Sequence, residues 1–116
     1  MPIMEKLAKF LGRGQSTNGA CRNNCHGEGP DMYYHTATLG NAYLDAYQIG
    51  LGEIYLGKSR MAAERLLSTQ KADGSWGFSE GDYGGLLSDG RAYHRYLAMT
   101  LYHLARMAWP DIKGLP

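Results

Sequence analysis

At 116 residues the chain is expected to be one domain, large enough to bury roughly two thirds of its unfolded surface without staples. A formal net charge of +1 gives no electrostatic basis for nucleic-acid binding, and no apolar run approaches the roughly 20 residues of a membrane span. Sixteen glycines, about twice ordinary usage, and nine tyrosines are the biases to explain. The glycines mark two long connections; the tyrosines sit mostly on predicted helices.

Residues 2–11 read as a short amphipathic helix. Ile3, Leu7, Phe10 and Leu11 fall on one face, Lys6 and Lys9 face away, and Gly12 and Gly14 stop it. Its start, "MPIMEKLAKFLGRG", lacks the central apolar block of a signal peptide. The chain as written is therefore expected in the cytoplasm, or exported if a signal was removed. Residues 13–34 show no periodicity, and a loop of this length is usually functional, metal-tied or disordered. Residues 36–56 read as one long helix with two apolar stripes: Leu39, Tyr43, Ala46, Gly50 and Ile54 on one, Leu44, Leu51 and Tyr55 on the other. Gly40, Gly50 and Gly52 inside it each cost up to about 1 kcal/mol against Ala, so close helix approach is the expected compensation. Gly57 ends it, and Ser59 caps a helix over 60–70 that turns Met61, Ala62, Leu66 and Leu67 inward. Residues 71–90 form the second glycine-rich connection. Asp89 caps a last helix over 91–108, aligning Tyr93, Tyr96, Leu97, Thr100, Leu101, Leu104 and Ala108 before Pro110. The fold class is all-α: about four antiparallel helices and two long Gly-rich loops.

Between the last two helices lies "QKADGSWG", with Gln70, Gly74 and Trp76 in the spacing Gln-x-x-x-Gly-x-Trp. This resembles the QW-type repeat of squalene and terpene cyclases and their prenyltransferase relatives. It also resembles the turn of α/α-toroid polysaccharide lyases and hydrolases. "AYLDAYQIGLGEIYLGKSRMAAERLLSTQKADGSWGF" looks like one toroid unit and "HRYLAMTLYHLARMA" like the next inner helix, so the resemblance covers about residues 34–108. It implies a toroid-like fragment with an aromatic groove for a carbohydrate or isoprenoid, with possible lyase- or cyclase-type activity. The cyclases' Asp-rich run has no match, so their catalytic residues do not carry over. Physically, Asp73-Gly74 is a turn pair, and Gln70 can bond helix-end carbonyls while its amide lies against the indole. Trp76 then clasps successive helices; contact with a ligand is its other reading.

Both cysteines lie in "CRNNCHGEG". Cys21, Cys25 and His26 resemble a c-type haem attachment site with one extra residue between the cysteines, which implies thioether links and a His26 axial ligand. The alternative function is thus a haem-bearing electron-transfer or structural protein. The same residues, with His35, suit tetrahedral zinc, and "CHG" also resembles a zinc motif of lanthionine cyclases. A local disulfide and two free thiols complete the alternatives.

"MYYH" puts Tyr33, Tyr34 and His35 at one helix start, and "AYHRY" repeats the arrangement at another with His94 and Arg95, so that the two can form one polar rim. In toroid lyases and hydrolases such residues commonly face the substrate groove. The resemblance therefore implies catalytic roles for His35, Tyr34 and His94, and substrate contacts for Trp76, Tyr33 and Arg95. A His can serve as general base and a Tyr as proton donor. Packed tyrosines and surface histidines are the plainer reading. Glu80 and Asp82 on the second loop form an acid pair only if something positions them. One toroid unit leaves faces uncovered, and the tyrosine faces around Tyr43, Tyr47, Tyr55 and Tyr102 are the expected remainder. A homo-oligomer or a permanent protein partner is therefore expected.

Overall fold

In a computed structural model, residues 2–22, 31–80 and 94–110 are described. Among them are four α-helices: α1 (Pro2–Leu11), α2 (Tyr33–Gln48), α3 (Glu53–Thr69) and α4 (His94–Ala108). A 3-10 turn at Gly12–Gly14 follows α1, and two short strands, β1 (Cys21–Arg22) and β2 (Asp31–Met32), pair antiparallel with Cys21 opposite Met32. The all-α expectation holds. No helix among the described residues is long and apolar enough to cross a membrane.

α2 is the central helix, packing on α3 along one side and α4 along another. α3 returns antiparallel to it. α4 then runs parallel to α2, because matching levels of the two helices meet in order. Tyr34 stacks on Tyr96, Asn41 bonds His103, and Asp45 pairs with Arg106. Gly40 permits the close approach expected of it: a Cβ there would lie 2.6 Å from Met107 Sδ and 2.9 Å from Ala62 Cβ. One core cluster gathers Ala8, Leu39, Tyr43, Ala46 and Tyr55; the other gathers Ala37, Leu66 and Trp76.

The single helix predicted over 36–56 is instead two. α2 ends at Gln48 in a Schellman motif: Leu51 N–H donates to the Ala46 carbonyl and Gly50 N–H to the Tyr47 carbonyl, both at 3.0 Å. Gly50 takes φ +92° to close it, and Leu51 packs back on the cluster containing Ala46. The glycine is there for backbone conformation, not for helix approach. Consequently α3 begins at Glu53, Gly57 lies inside it, and Ser59 is buried in its body rather than capping it. Asp89, the expected cap of α4, lies outside the described residues.

Several faces differ from expectation. Tyr43 and Tyr55 are buried and stacked with centroids 5.9 Å apart, and Tyr47 and Tyr102 are half-buried. The tyrosine faces are therefore not the uncovered remainder. That role falls to Ile3, Leu7 and Phe10 on α1 and to Leu67, Leu101 and Trp109 along α3 and α4. α1 packs into the core through Ala8 and Leu11, while Met4 and Leu7 border a crevice beside Ala46 and Ile49 and stay about half exposed. Met61, Leu67 and Leu101 were expected inward and are exposed. α3 and α4 touch each other little, which leaves an open trough of about 390 Å³ between them.

The 13–34 segment is organised where it is described. Gln15 Nε2 donates to the Lys58 carbonyl at 2.9 Å and Ser16 Oγ to Asp31 Oδ1 at 2.9 Å. The buried Thr36 hydroxyl accepts from Cys21 N–H and donates to the Met32 carbonyl, both at 2.8 Å. Both of its hydrogen-bonding roles are thereby used, and β1 is fastened to the first turn of α2.

Candidate functional site

The turn after α3 positions everything that follows. Gly74 adopts φ +89°, Gln70 Nε2 donates to the Gly74 carbonyl at 2.7 Å, and Asp73 Oδ1 accepts from Ser75 N–H and Oγ at 2.9 and 2.6 Å. The Ser75 side-chain and backbone bonds hold the Asp73 carboxyl below its usual pKa. The helix-end bond expected of Gln70 is made by Trp76 instead. Its Nε1–H donates at 2.8 Å to the Leu66 carbonyl in the last turn of α3, which also accepts from the Thr69 hydroxyl at 3.2 Å. Trp76 is 6 % exposed and packs with Ala37 and Leu66. That enclosure supports the clasp and leaves no ring face for a ligand.

Beyond Trp76 the chain crosses to β2: Met32 bridges Ser79, and Glu80 N–H donates to the Asp31 carbonyl at 2.8 Å. This crossing delivers Phe78 and Glu80 to the starts of α2 and α4. There the two Tyr/His clusters meet. Tyr34 and Tyr96 stack with centroids 4.5 Å apart and planes at 30°, Phe78 meets Tyr96 edge-on at 5.0 Å, and Tyr34 meets His35 edge-on at 4.3 Å. Burial lowers the pKa of His35, and a hydrogen bond to the Arg22 backbone partly offsets this. Its imidazole is therefore neutral at pH 7, the state a general base needs.

Beside the aromatic group stands an ion pair. Arg65 donates from Nε, at 2.9 Å, and from Nη2 to Glu80 Oε1. The Glu80 side chain is about nine-tenths buried, and its Oε2 has no hydrogen-bond partner among the described residues. The bond to Glu80 raises the already high pKa of Arg65. Burial, then the Glu80 charge, raises the pKa of Tyr33, against a smaller opposing effect of Arg65. Tyr33 thus stays a neutral phenol and a hydrogen-bond donor. Arg65 supplies the positioning that Glu80 was expected to need; Asp82 lies outside the described residues.

His94 and Arg95 stand exposed on the first turn of α4. Cys21 is half-buried, and burial, then the Asp31 charge, pushes its thiol up to about 11. Cys25 and His26 lie outside the described residues. Among the described residues no three His, Cys, Asp or Glu side chains are grouped to hold a metal ion.

Sequence reasoning missed Arg65, whose partner lies across the turn, and a polar ladder between α2 and α4. In that ladder Asn41 Nδ2 lies 3.0 Å from His103 Nδ1, and Arg106 Nη2 donates to Asp45 Oδ1 at 3.1 Å. Burial, then the Arg106 charge, lowers the pKa of His103, with Asp45 opposing. The separations of 62 and 61 residues are those of two parallel helices, but they become readable only once the partners are known, so the sequence held no signal for the ladder. Comparison with protein-family models, with curated proteins and with solved structures finds no match.

Proposed function

We propose that the chain is a carbohydrate-binding helical subunit built as one unit of an α/α toroid, with its rim at the starts of α2 and α4. The observation that carries this reading is the Tyr34–Tyr96 stack, which joins two separate Tyr/His clusters into one aromatic surface. The order α2, α3, α4, with α2 and α4 parallel and adjacent, also supports the toroid-like reading. A sugar presents apolar C–H faces to aromatic rings and hydroxyls to polar groups. Tyr34 and Tyr96, both half-buried, serve the first need, with the buried Phe78 ring backing them; Tyr33 and the Arg65–Glu80 pair serve the second. His94 and Arg95 extend the rim outward. In an eliminative reaction of the lyase type, neutral His35 would accept the substrate proton and Tyr34 would return one to the leaving oxygen.

A second copy completing the packing at the α3–α4 trough belongs to the same reading, since in a toroid the next outer helix lies there. Titration calorimetry with neutral and uronate oligosaccharides tests the function. Binding lost on Tyr96→Ala at an unchanged fold is expected. No binding of any oligosaccharide, with a prenyl alcohol binding instead in the trough, would replace carbohydrate by isoprenoid as the ligand class.

A further inference from the structure

We propose that α1 is a peripheral membrane anchor that lays the protein on an anionic lipid surface. On a helical wheel Ile3, Leu7 and Phe10 fall within about 60° of one another. All three are substantially exposed, Ile3 at 80 %. Ala8, about 100° from Leu7, and Leu11, about 40° from it, are the residues packed into the core of the body. Leu7 and Phe10 border crevices against the body, beside Ala46 and Leu39 respectively, and keep about half of their surface open, while Ile3 projects furthest from it.

Charge decides the occupant. Lys6 follows Phe10 around the helix by about 40° and Lys9 by about 100°. Arg13 continues the basic edge from the 3-10 turn, its guanidinium 5.5 Å above the Phe10 ring. Arg22 lies beside it, donating from Nη1 to the Arg13 carbonyl at 3.1 Å. Glu5 is the one acid on α1, and it stands on the far side of the lysines from the apolar row. An exposed apolar row edged by Lys and Arg is the pattern of a helix lying in the headgroup region, with its rings and aliphatic chains immersed and its cations at the phosphates. The face of a helix that docks into a protein groove needs no such basic border.

Co-sedimentation of the full chain with vesicles tests the proposal. Phosphatidylcholine vesicles containing ~30 % phosphatidylglycerol should pull the protein down, and phosphatidylcholine alone should not. Raising NaCl to about 0.5 M should lower the partition about tenfold or more. The exposed double variant Lys6→Glu, Lys9→Glu should do the same while melting like the parent. Leu7→Glu should abolish binding. Equal sedimentation of parent and double variant, or equal binding to both vesicle types, would overturn the proposal. So would no vesicle binding by a parent that light scattering shows to be a dimer dissociated by Leu7→Glu, because a second copy would then cover the face.

Discussion

Tyr34 on α2 and Tyr96 on α4 stack with ring centroids 4.5 Å apart, at the same end of two parallel helices. An aromatic pair of this kind contributes about 0.5–1.5 kcal/mol beyond its burial. Tyr96→Ala should therefore destabilise by roughly 1–3 kcal/mol while leaving the helical signal intact. Tyr96→Phe should restore the stability. If Tyr96→Phe also restores oligosaccharide binding, the ring matters; if it does not, the hydroxyl does. Chemical denaturation beside calorimetry separates the two.

Trp76 should behave as a core residue. Trp76→Ala is expected to cost about 3–5 kcal/mol. Trp76→Phe keeps most of the packing and leaves the Leu66 carbonyl to the Thr69 hydroxyl, so it should cost about 1 kcal/mol. A Trp76→Ala protein that melts normally and loses ligand binding would show that the indole serves the groove instead.

Gly50 and Gly40 should fail for different reasons. Gly50→Ala forces a side chain into φ +92° in open space, so it should lose about 1 kcal/mol through the backbone. Gly40→Ala brings a methyl against Met107 and Ala62 and should cost about 1–3 kcal/mol by overpacking. Met107→Ala should relieve the second variant and leave the first unchanged.

Stability should fall with acid below about pH 6.5. His35 and His103 both have lowered pKa values in the fold, chiefly from burial. The unfolded chain therefore binds protons first as pH falls. Their contribution is complete above the unfolded histidine pKa and is lost as pH drops toward the folded values. The double variant His35→Gln, His103→Gln should flatten the stability profile between about pH 6.5 and 5. An unchanged slope there would place the acid sensitivity elsewhere.

α1 was legible to the residue, because Gly12 follows a clean amphipathic stretch. The α2–α3 boundary was not. Gly50 was read as a packing glycine, although Gly50 followed by Leu51 is also the signature of a helix stop with its returning apolar contact. The inward assignment of Leu67 and Leu101 failed for another reason. Periodicity shows that a stripe is apolar, but not whether the chain supplies a neighbour to cover it. For the site, sequence placed a Tyr/His cluster at each of two helix starts, and only tertiary packing could show that the clusters touch. The Arg65–Glu80 pair depends on how the turn at Gly74 and the Met32–Ser79 bridge aim the chain, which no local pattern encodes. Trp76 lies between these cases: its spacing pointed to a clasp, and the Leu66 carbonyl identifies what it clasps.

Heteronuclear NMR titration of the labelled protein with uronate and neutral oligosaccharides tests the carbohydrate reading most directly. It predicts saturable shifts confined to Tyr33, Tyr34, His35, Phe78, Glu80 and Tyr96, abolished by Tyr34→Ala. Shifts confined to the trough residues Leu67, Leu101 and Trp109, or no shifts with any oligosaccharide, would contradict it.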